Sequence, residues 1–250
     1  MSTKKQKPTN PMLTSGGIQW TGYTWNPTSG CSKVGAGCRI CYAETLANRM
    51  KNHPNKKVAD RYRNGFKPTY QAQSLGVPLR LKKPRWIFVN SMSDLFHESF
   101  DLAYIQAVFG IMNQCPQHKF QVLTKRSERL AKVAKHLTWS DNIWMGVSVE
   151  NEKSLSRING LRQVPTENRF LSIEPLLEAI PNLNIDGINW VIVGGESGNG
   201  YRQMRESWAT PIRDLCIKEG VPFFFKQWGG KMSKSGGKVL QGRTWCEMPA

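Results

Sequence analysis

Long apolar runs are missing from this sequence: nothing in it approaches the roughly 20 uninterrupted apolar residues that a membrane helix needs. Missing too is the apolar middle of a secretory signal, because Met1 to Thr14 are basic and polar. Residues 1–17 therefore read as a flexible basic leader, and the expectation is a soluble, cytoplasmic protein. No internal repeat and no clear domain boundary appear. Acidic residues are scarce, 18 Asp and Glu against 35 Lys and Arg, which leaves a net charge of +17. What remains is ordinary for a globular chain. At 250 residues, with 39% hydrophobic and 10% aromatic residues, there is enough to build one large α/β domain or two small ones.

The charge imbalance favours a polyanionic partner, since each neutralised phosphate releases condensed counterions. Basic residues crowd Lys51 to Arg85, among them Lys56, Lys57, Arg61, Arg63, Lys67, Arg80, Lys82 and Lys83. Tyr62, Phe66 and Tyr70 are interleaved with them, as a nucleic-acid surface would require. The plainer alternative is a solvated basic face that only keeps the protein soluble. Nucleic acid or a nucleotide is the expected partner.

Short apolar runs recur along the chain: Trp86–Asn90, Phe120–Leu123, Ile143–Val147, Arg169–Ile173, Trp190–Val193 and Val221–Phe225. Continuous apolar runs suit strands buried on both faces, as in a parallel sheet covered by helices. Helices are predicted over Leu102–Asn113, with Asp101 as N-cap, and over Ser127–Leu137, Ser154–Leu161 and Trp208–Lys218, the last closed by Gly220. A further strand near Tyr23–Asn26 brings the count to about seven β/α units. The expected class is α/β, a partial or full (β/α) barrel, with a doubly wound sheet as the alternative. The stretch 51–84 breaks the rhythm as a basic insertion into a barrel spanning 18–230. Residues 231–250, rich in Gly, Lys and Ser, read as a flexible C-terminal tail.

Each predicted strand ends in polar residues. Ser91, Ser93 and Asp94 follow the first; Lys125 and Arg126 the second; Ser148, Glu150 and Asn151 the third. Glu174 and Pro175 follow the fourth, Gly194, Gly195 and Glu196 the fifth, and Lys226 and Gln227 the sixth. In a parallel barrel these ends converge on one face, where active sites sit. Singly, each has a simpler reading, as a helix cap or a buried ion-pair member. The paired glycines at 194–195 let backbone N–H groups approach a ligand, and a helix starting there would favour an anion.

Three of the six cysteines fall within eleven residues, Cys31, Cys38 and Cys41, spaced C-x6-C-x2-C in a loop that holds Gly30, Gly35 and Gly37. In a chain with no export signal a tight cluster points to metal rather than disulfides. Zinc would want a fourth ligand, for which His53 or a remote cysteine is available. Three thiolates alone suit a [4Fe–4S] cluster with one iron left open.

A three-cysteine loop after a first strand, ahead of a partial barrel, resembles the radical S-adenosylmethionine (SAM) superfamily. The common pattern there is C-x3-C-x2-C with an aromatic residue before the last cysteine. Here the first gap is six, Ile40 precedes Cys41, and Tyr42 follows it. More closely, the chain is similar to a family of phage and bacterial proteins placed beside radical SAM enzymes. The matching segments are WNPTSGCSKVGAGCRICYAE, FVNSMSDLFHE, VLTKR, GVSVEN, RFLSIEPLL, WVIVGGESG and GVPFFFKQWG, spread between Trp20 and Gly230.

The resemblance implies that Cys31, Cys38 and Cys41 ligate a [4Fe–4S] cluster and that SAM binds its open iron. Reductive cleavage of SAM then yields a 5′-deoxyadenosyl radical that abstracts a substrate hydrogen. By strand-end order, Ser91, Ser93 and Asp94 would meet the methionine amine, and Lys125 or Arg126 its carboxylate. Ser148, Glu150 and Asn151 would meet the ribose, with the turn Gly194, Gly195 and Glu196 nearby. Glu174, Lys226 and Gln227 remain for the substrate. An electron-donating reductase or flavodoxin is implied as partner, with isomerase, transferase or lyase chemistry. Some phage relatives are implied to take part in hypermodifying thymidine in viral DNA. Three alternatives stay open: a zinc-dependent nucleic-acid-binding module, a phosphate-handling α/β enzyme built on the 194–195 turn, and a non-catalytic DNA-binding protein with a structural cluster.

Overall fold

The structure is a computed structural model that describes residues 18–232 and 235–249. In chain order its strands are β1 (Tyr23–Trp25), β2 (Thr28–Ser29), β3 (Thr69–Tyr70), β4 (Trp86–Val89), β5 (Lys119–Thr124), β6 (Ile143–Ser148), β7 (Arg169–Ile173), β8 (Trp190–Gly194), β9 (Phe223–Gln227), β10 (Val239–Leu240) and β11 (Arg243–Thr244). Its α-helices are α1 (Tyr42–Met50), α2 (Lys56–Arg61), α3 (Leu102–Asn113), α4 (Ser127–Ala134), α5 (Ser156–Arg162) and α6 (Glu206–Lys218).

Seven strands form one parallel sheet in the order β1-β4-β5-β6-β7-β8-β9. Strict sequence order, with no reversal, excludes the doubly wound alternative, whose strand order switches direction. The sheet also curls. β4 and β8 are four strands apart, roughly 19 Å along a flat sheet at about 4.8 Å per strand. Yet the rings of Trp86 and Trp190 on those strands lie 6.0 Å apart. β1 and β9 do not pair, so the fold is an open, partial (β/α) barrel.

Period-2 alternation divides most of these strands between two apolar environments, which is why they read as apolar runs; the exceptions are β1, where Thr24 is exposed, and β5, where buried Gln121 donates to the Trp20 carbonyl at 3.0 Å. Ile87, Val89, Val122, Met145, Val147, Leu171, Ile173, Val191, Val193, Phe223 and Phe225 face outward into one large core shared with the helices. Trp86, Phe88, Trp144, Phe170, Trp190, Ile192 and Phe224 face inward and form a second, aromatic core with Trp20, whose ring meets Phe88 at 4.7 Å and Trp190 at 6.2 Å. Gly146 takes an inward position where a Cβ would meet the Phe170 ring at 2.5 Å. Continuing the inward file toward the carboxyl ends, Ser148, Ser172 and Lys226 follow Trp144, Phe170 and Phe224. The interior therefore changes from apolar to polar at one level.

Helix α3 spans the residues the periodicity predicts, and Asp101 caps it by accepting from the Tyr104 N–H at 2.7 Å. Helix α4 stops at Ala134, three residues earlier than its pattern suggests. The predicted helix from Ser154 opens as a 3-10 turn (Glu152–Ser154) before α5. The strand expected at Val221–Phe225 lies two residues later. No helix joins β7 to β8: Pro175, Pro181 and the left-handed Gly187 interrupt that stretch, and the Glu174–Pro175 peptide is cis.

The basic stretch 51–84 contains α2, β3 and two 3-10 turns, with β3 paired antiparallel to β2. Its aromatics are used in packing. Tyr62 and Phe66 pack against Ala43, Ala47 and Met92, and the Tyr70 hydroxyl donates to Asp101 at 2.8 Å. Residues 1–17, the expected basic leader, lie outside the described residues. Within 231–250, expected as a flexible tail, β10 pairs with β11, Leu240 and Trp245 are buried, and Phe225 N–H donates to the Trp245 carbonyl at 3.0 Å. No helix among the described residues is long and apolar enough to cross a membrane.

Candidate active site at the open mouth of the sheet

The carboxyl ends of the strands surround a cavity of about 630 Å³, within the range of small-molecule sites. Cys31, Cys38 and Cys41 line it. So do Ser91, Ser93, Asp94, Lys125, Ser148, Glu174, Gly195, Glu196, Lys226 and Gln227. With Arg126 and Pro175, fifteen of the strand-end residues and cysteines singled out from the sequence thus share one wall system. Glu150, Asn151 and Gly194 do not line it.

Those three exceptions have structural partners. Glu150 is buried and forms ion pairs with Lys125 and, at 2.6 Å, Arg157. Burial alone would raise its pKa, but the two cations outweigh burial and hold the carboxyl below the ordinary range. Asn151 opens the 3-10 turn, where the Ser154 hydroxyl accepts from its N–H at 3.1 Å. A Cβ at Gly194 would meet the Glu174 carboxylate at 2.7 Å. The helix expected straight after Gly195 is also absent: α6 starts only at Glu206. The glycines at 194–195 instead allow two loops to approach closely, since a Cβ at Gly195 would stand 1.9 Å from the Trp228 carbonyl oxygen.

Two ion-pair posts support the cysteine loop. Glu150 is one: a Cβ at Gly37 would stand 2.6 Å from its Cγ, and one at Gly35 would stand 2.8 Å from Arg157 Nη2. Glu196 is the other. Arg202 pairs with Glu196 and donates to the Ala36 carbonyl at 2.9 Å, while Arg39 donates to the Gly200 carbonyl at 2.9 Å and lies 3.8 Å from Glu196. Burial again opposes ionisation of Glu196, and Arg202 overrides it, so this carboxyl too sits below its ordinary range. Sequence reasoning passed over Arg157 and Arg202, although both lie within two helical turns' worth of residues of the carboxylate they bind. It also passed over Asn26, whose side-chain oxygen accepts from the Ser91 hydroxyl and the Met92 N–H, and over Trp20 and Ser172 in the cavity wall.

The three cysteines are free and partly buried. Burial, then the charge of Asp94, pushes the Cys31 thiol up to about 12, and burial also raises Cys41. Among the described residues no group of three or more His, Cys, Asp and Glu side chains is arranged to hold a single metal ion. Elsewhere on the wall, Lys226 Nζ stands 2.9 Å from Glu174 Oε1, and the Ser172 hydroxyl donates to Glu174 Oε2 at 3.1 Å. Gln227 Nε2 donates to the Ser197 hydroxyl at 3.0 Å. The wall therefore offers an ion pair able to hold or pass a proton, beside a file of hydroxyls.

The chain is similar to solved structures of spore photoproduct lyase. One, a variant with bound AdoMet and dinucleoside spore photoproduct, matches at 9% identity and a TM-score of 0.45, over 78% of this chain and 61% of that one. Another, complexed with dinucleoside spore photoproduct, matches at 8% identity and a TM-score of 0.43, over 76% and 59%. The chain thus spans about 60% of the length of the solved structures it matches. No curated protein matches it significantly. With the model of the family described as protein of unknown function (DUF5131) matching residues 15–249, the chain belongs to that family.

Proposed function

We propose that the protein is a radical SAM enzyme that carries a [4Fe–4S] cluster on Cys31, Cys38 and Cys41 and acts on a nucleotide or a nucleic-acid base. One observation carries this reading: three free, partly buried thiols of a single loop line the same cavity as the inward-facing Glu174–Lys226 pair, at the carboxyl-end mouth of an open parallel barrel. The donor set fits the cluster. The thiols are soft, free of disulfides and on one glycine-containing loop, and burial disfavours the thiolates of Cys31 and Cys41 unless a cationic centre compensates. A cluster would take each of the three thiolates on a different iron, so the lack of a single-ion group among the described residues does not conflict with it. Bound there, the cluster and SAM supply a carbon-centred radical able to abstract hydrogen.

The chain's own residues bind, orient and exclude water. Glu150 and Glu196 are the posts on which the cysteine loop rests. Ser91 and Ser93, the latter donating to the Thr28 carbonyl at 3.0 Å, shape the wall after β4. Ser148 lies in the wall at the end of β6, where it can meet polar groups of SAM. Glu174 and Lys226, with Ser172, face the substrate and hold a proton between carboxylate and amine. Trp20, Phe88 and Leu123 close the floor against water. Exposed Lys51, Lys56, Lys57, Arg63, Lys67, Lys82 and Lys83 supply the charge for a phosphate-bearing substrate.

The test is purification without oxygen, measurement of iron and of absorbance near 400 nm, then addition of SAM and a reductant. Several irons per chain and release of 5′-deoxyadenosine are expected. Iron-free protein, or an iron-loaded protein that never consumes SAM, would overturn the reading.

A further inference from the structure

Arg126, at the end of β5, has 4% of its side chain exposed, and all of its donors are directed. Nε donates to both oxygens of Glu98, at 3.0 and 3.2 Å. Nη2 donates to the hydroxyl and the carbonyl of Ser32, at 2.8 and 3.2 Å. Nη1 donates to Cys31 Sγ at 3.5 Å and lies 3.5 Å from Asp94 Oδ2. Asp94 in turn accepts from the Thr124 hydroxyl at 2.7 Å and from the Lys125 N–H at 3.0 Å, which fixes it to the same β5 end.

Ser32 is gripped from a second side. His97 Nδ1 accepts from the Ser99 N–H at 3.1 Å, so Nε2 carries the ring proton and donates to Ser32 Oγ at 2.9 Å. Asp94, His97 and Glu98 come from the segment after β4, and Arg126 from the segment after β5. Two sequence stretches that strand-end order assigns to SAM thus converge on the first cysteine.

We propose that Arg126, held by Asp94 and Glu98, is a positioning residue that fixes Cys31 through Ser32 and donates an N–H to its sulfur, with His97 as the second jaw of the clamp. In its redox aspect this rests on the cluster reading above; the clamp itself does not. Two consequences follow physically. A donor and a positive charge at a cluster sulfur stabilise the reduced, more negative state and raise its potential. A clamp on Ser32 also suppresses local opening of the backbone beside it.

The experiment compares wild type, R126Q, R126K and S32A, each made and reconstituted with iron and sulfide under anaerobic conditions. Three readouts are iron content, midpoint potential of the cluster by EPR-monitored titration, and amide hydrogen exchange by mass spectrometry. In R126Q the potential should move to a more negative value, and exchange should speed up several-fold in the peptide holding Cys31–Val34 while peptides from β6 to β9 keep their rates. R126K should shift the potential less, because it keeps the charge, yet it should still speed exchange, because an ammonium cannot replace the guanidinium fork. Unchanged potential together with unchanged exchange in R126Q would overturn the proposal. Should R126Q be destabilised throughout, S32A decides: faster exchange confined to Cys31–Val34 supports the clamp, and a wild-type rate refutes it. Wild-type protein that holds no iron would remove the cluster reading, and the exchange comparison would still decide the clamp.

Discussion

Glu150 combines near-complete burial with two facing cations, so its charge state is tied to folding. Its side chain is 1% exposed, against 21% for Lys125 and 12% for Arg157. The Glu150→Gln variant keeps the shape and removes the charge, leaving two cations against a neutral amide. Breaking a buried pair in this way costs on the order of 3 kcal/mol, the lower end because both cations keep some water. The sign of the pH effect follows from the lowered folded-state pKa. Unfolded protein binds the proton more readily, so the pair's contribution is complete above the ordinary Glu value of about 4.3. It fades as pH falls below that value and through the folded one. Urea unfolding should therefore show a wide gap between wild type and variant at pH 7 that narrows by pH 3.5; a gap of constant size would show that the charge is not the cause. Sequence reading gave Glu150 and Glu196 to a cofactor because both follow strands. It could place them at the mouth, but could not show that Arg157 and Arg202 already occupy their oxygens.

At the level of elements, the seven parallel strands and α3 were legible because each obeys one rule along its length. Most of the strands are apolar on both faces, the short β1 and the Gln121-bearing β5 excepted, and α3 has an unambiguous N-cap. Where two rules compete the sequence is silent. Between β7 and β8, apolar residues are present but prolines and Gly187 interrupt any helix, and the stretch runs as loop. The C-terminal segment misleads in the other direction: its Gly, Lys and Ser content suggests mobility, whereas Leu240 and Trp245 anchor it. Trp245 packs on Phe223 at 6.0 Å between centroids and lies under the guanidinium groups of Arg213 and Arg243, at 5.3 and 4.1 Å. Truncating a buried Trp costs about 3–5 kcal/mol. Trp245→Ala should lower the urea midpoint accordingly and expose the 231–249 segment to limited proteolysis. Unfolding and cleavage rates equal to wild type would show that this segment contributes nothing to the barrel.

The whole molecule joins a polar mouth to a strongly basic exterior, and its net charge makes a quantitative demand on any nucleic-acid partner. Each phosphate neutralised on duplex DNA contributes about 0.9 to the slope of log affinity against log salt. Tyr62 and Phe66 of the basic stretch are half-buried in packing, and only Tyr70 among its aromatics is exposed, so base stacking there is at most a minor part of what the surface offers. Its lysines, by contrast, point to solvent. Binding through them should accordingly be backbone-driven, tolerant of sequence and steeply salt-dependent. Fluorescence anisotropy with a duplex oligonucleotide, measured from low to physiological salt, should give a slope of several units. Replacing Lys56 and Lys57 with Ala should weaken binding alike for unrelated sequences and reduce the slope by up to about 2, roughly one per lost phosphate contact. A solvated basic face with no phosphate contacts predicts instead that the double variant binds with the wild-type slope, which would move the nucleic-acid surface away from this stretch or remove it.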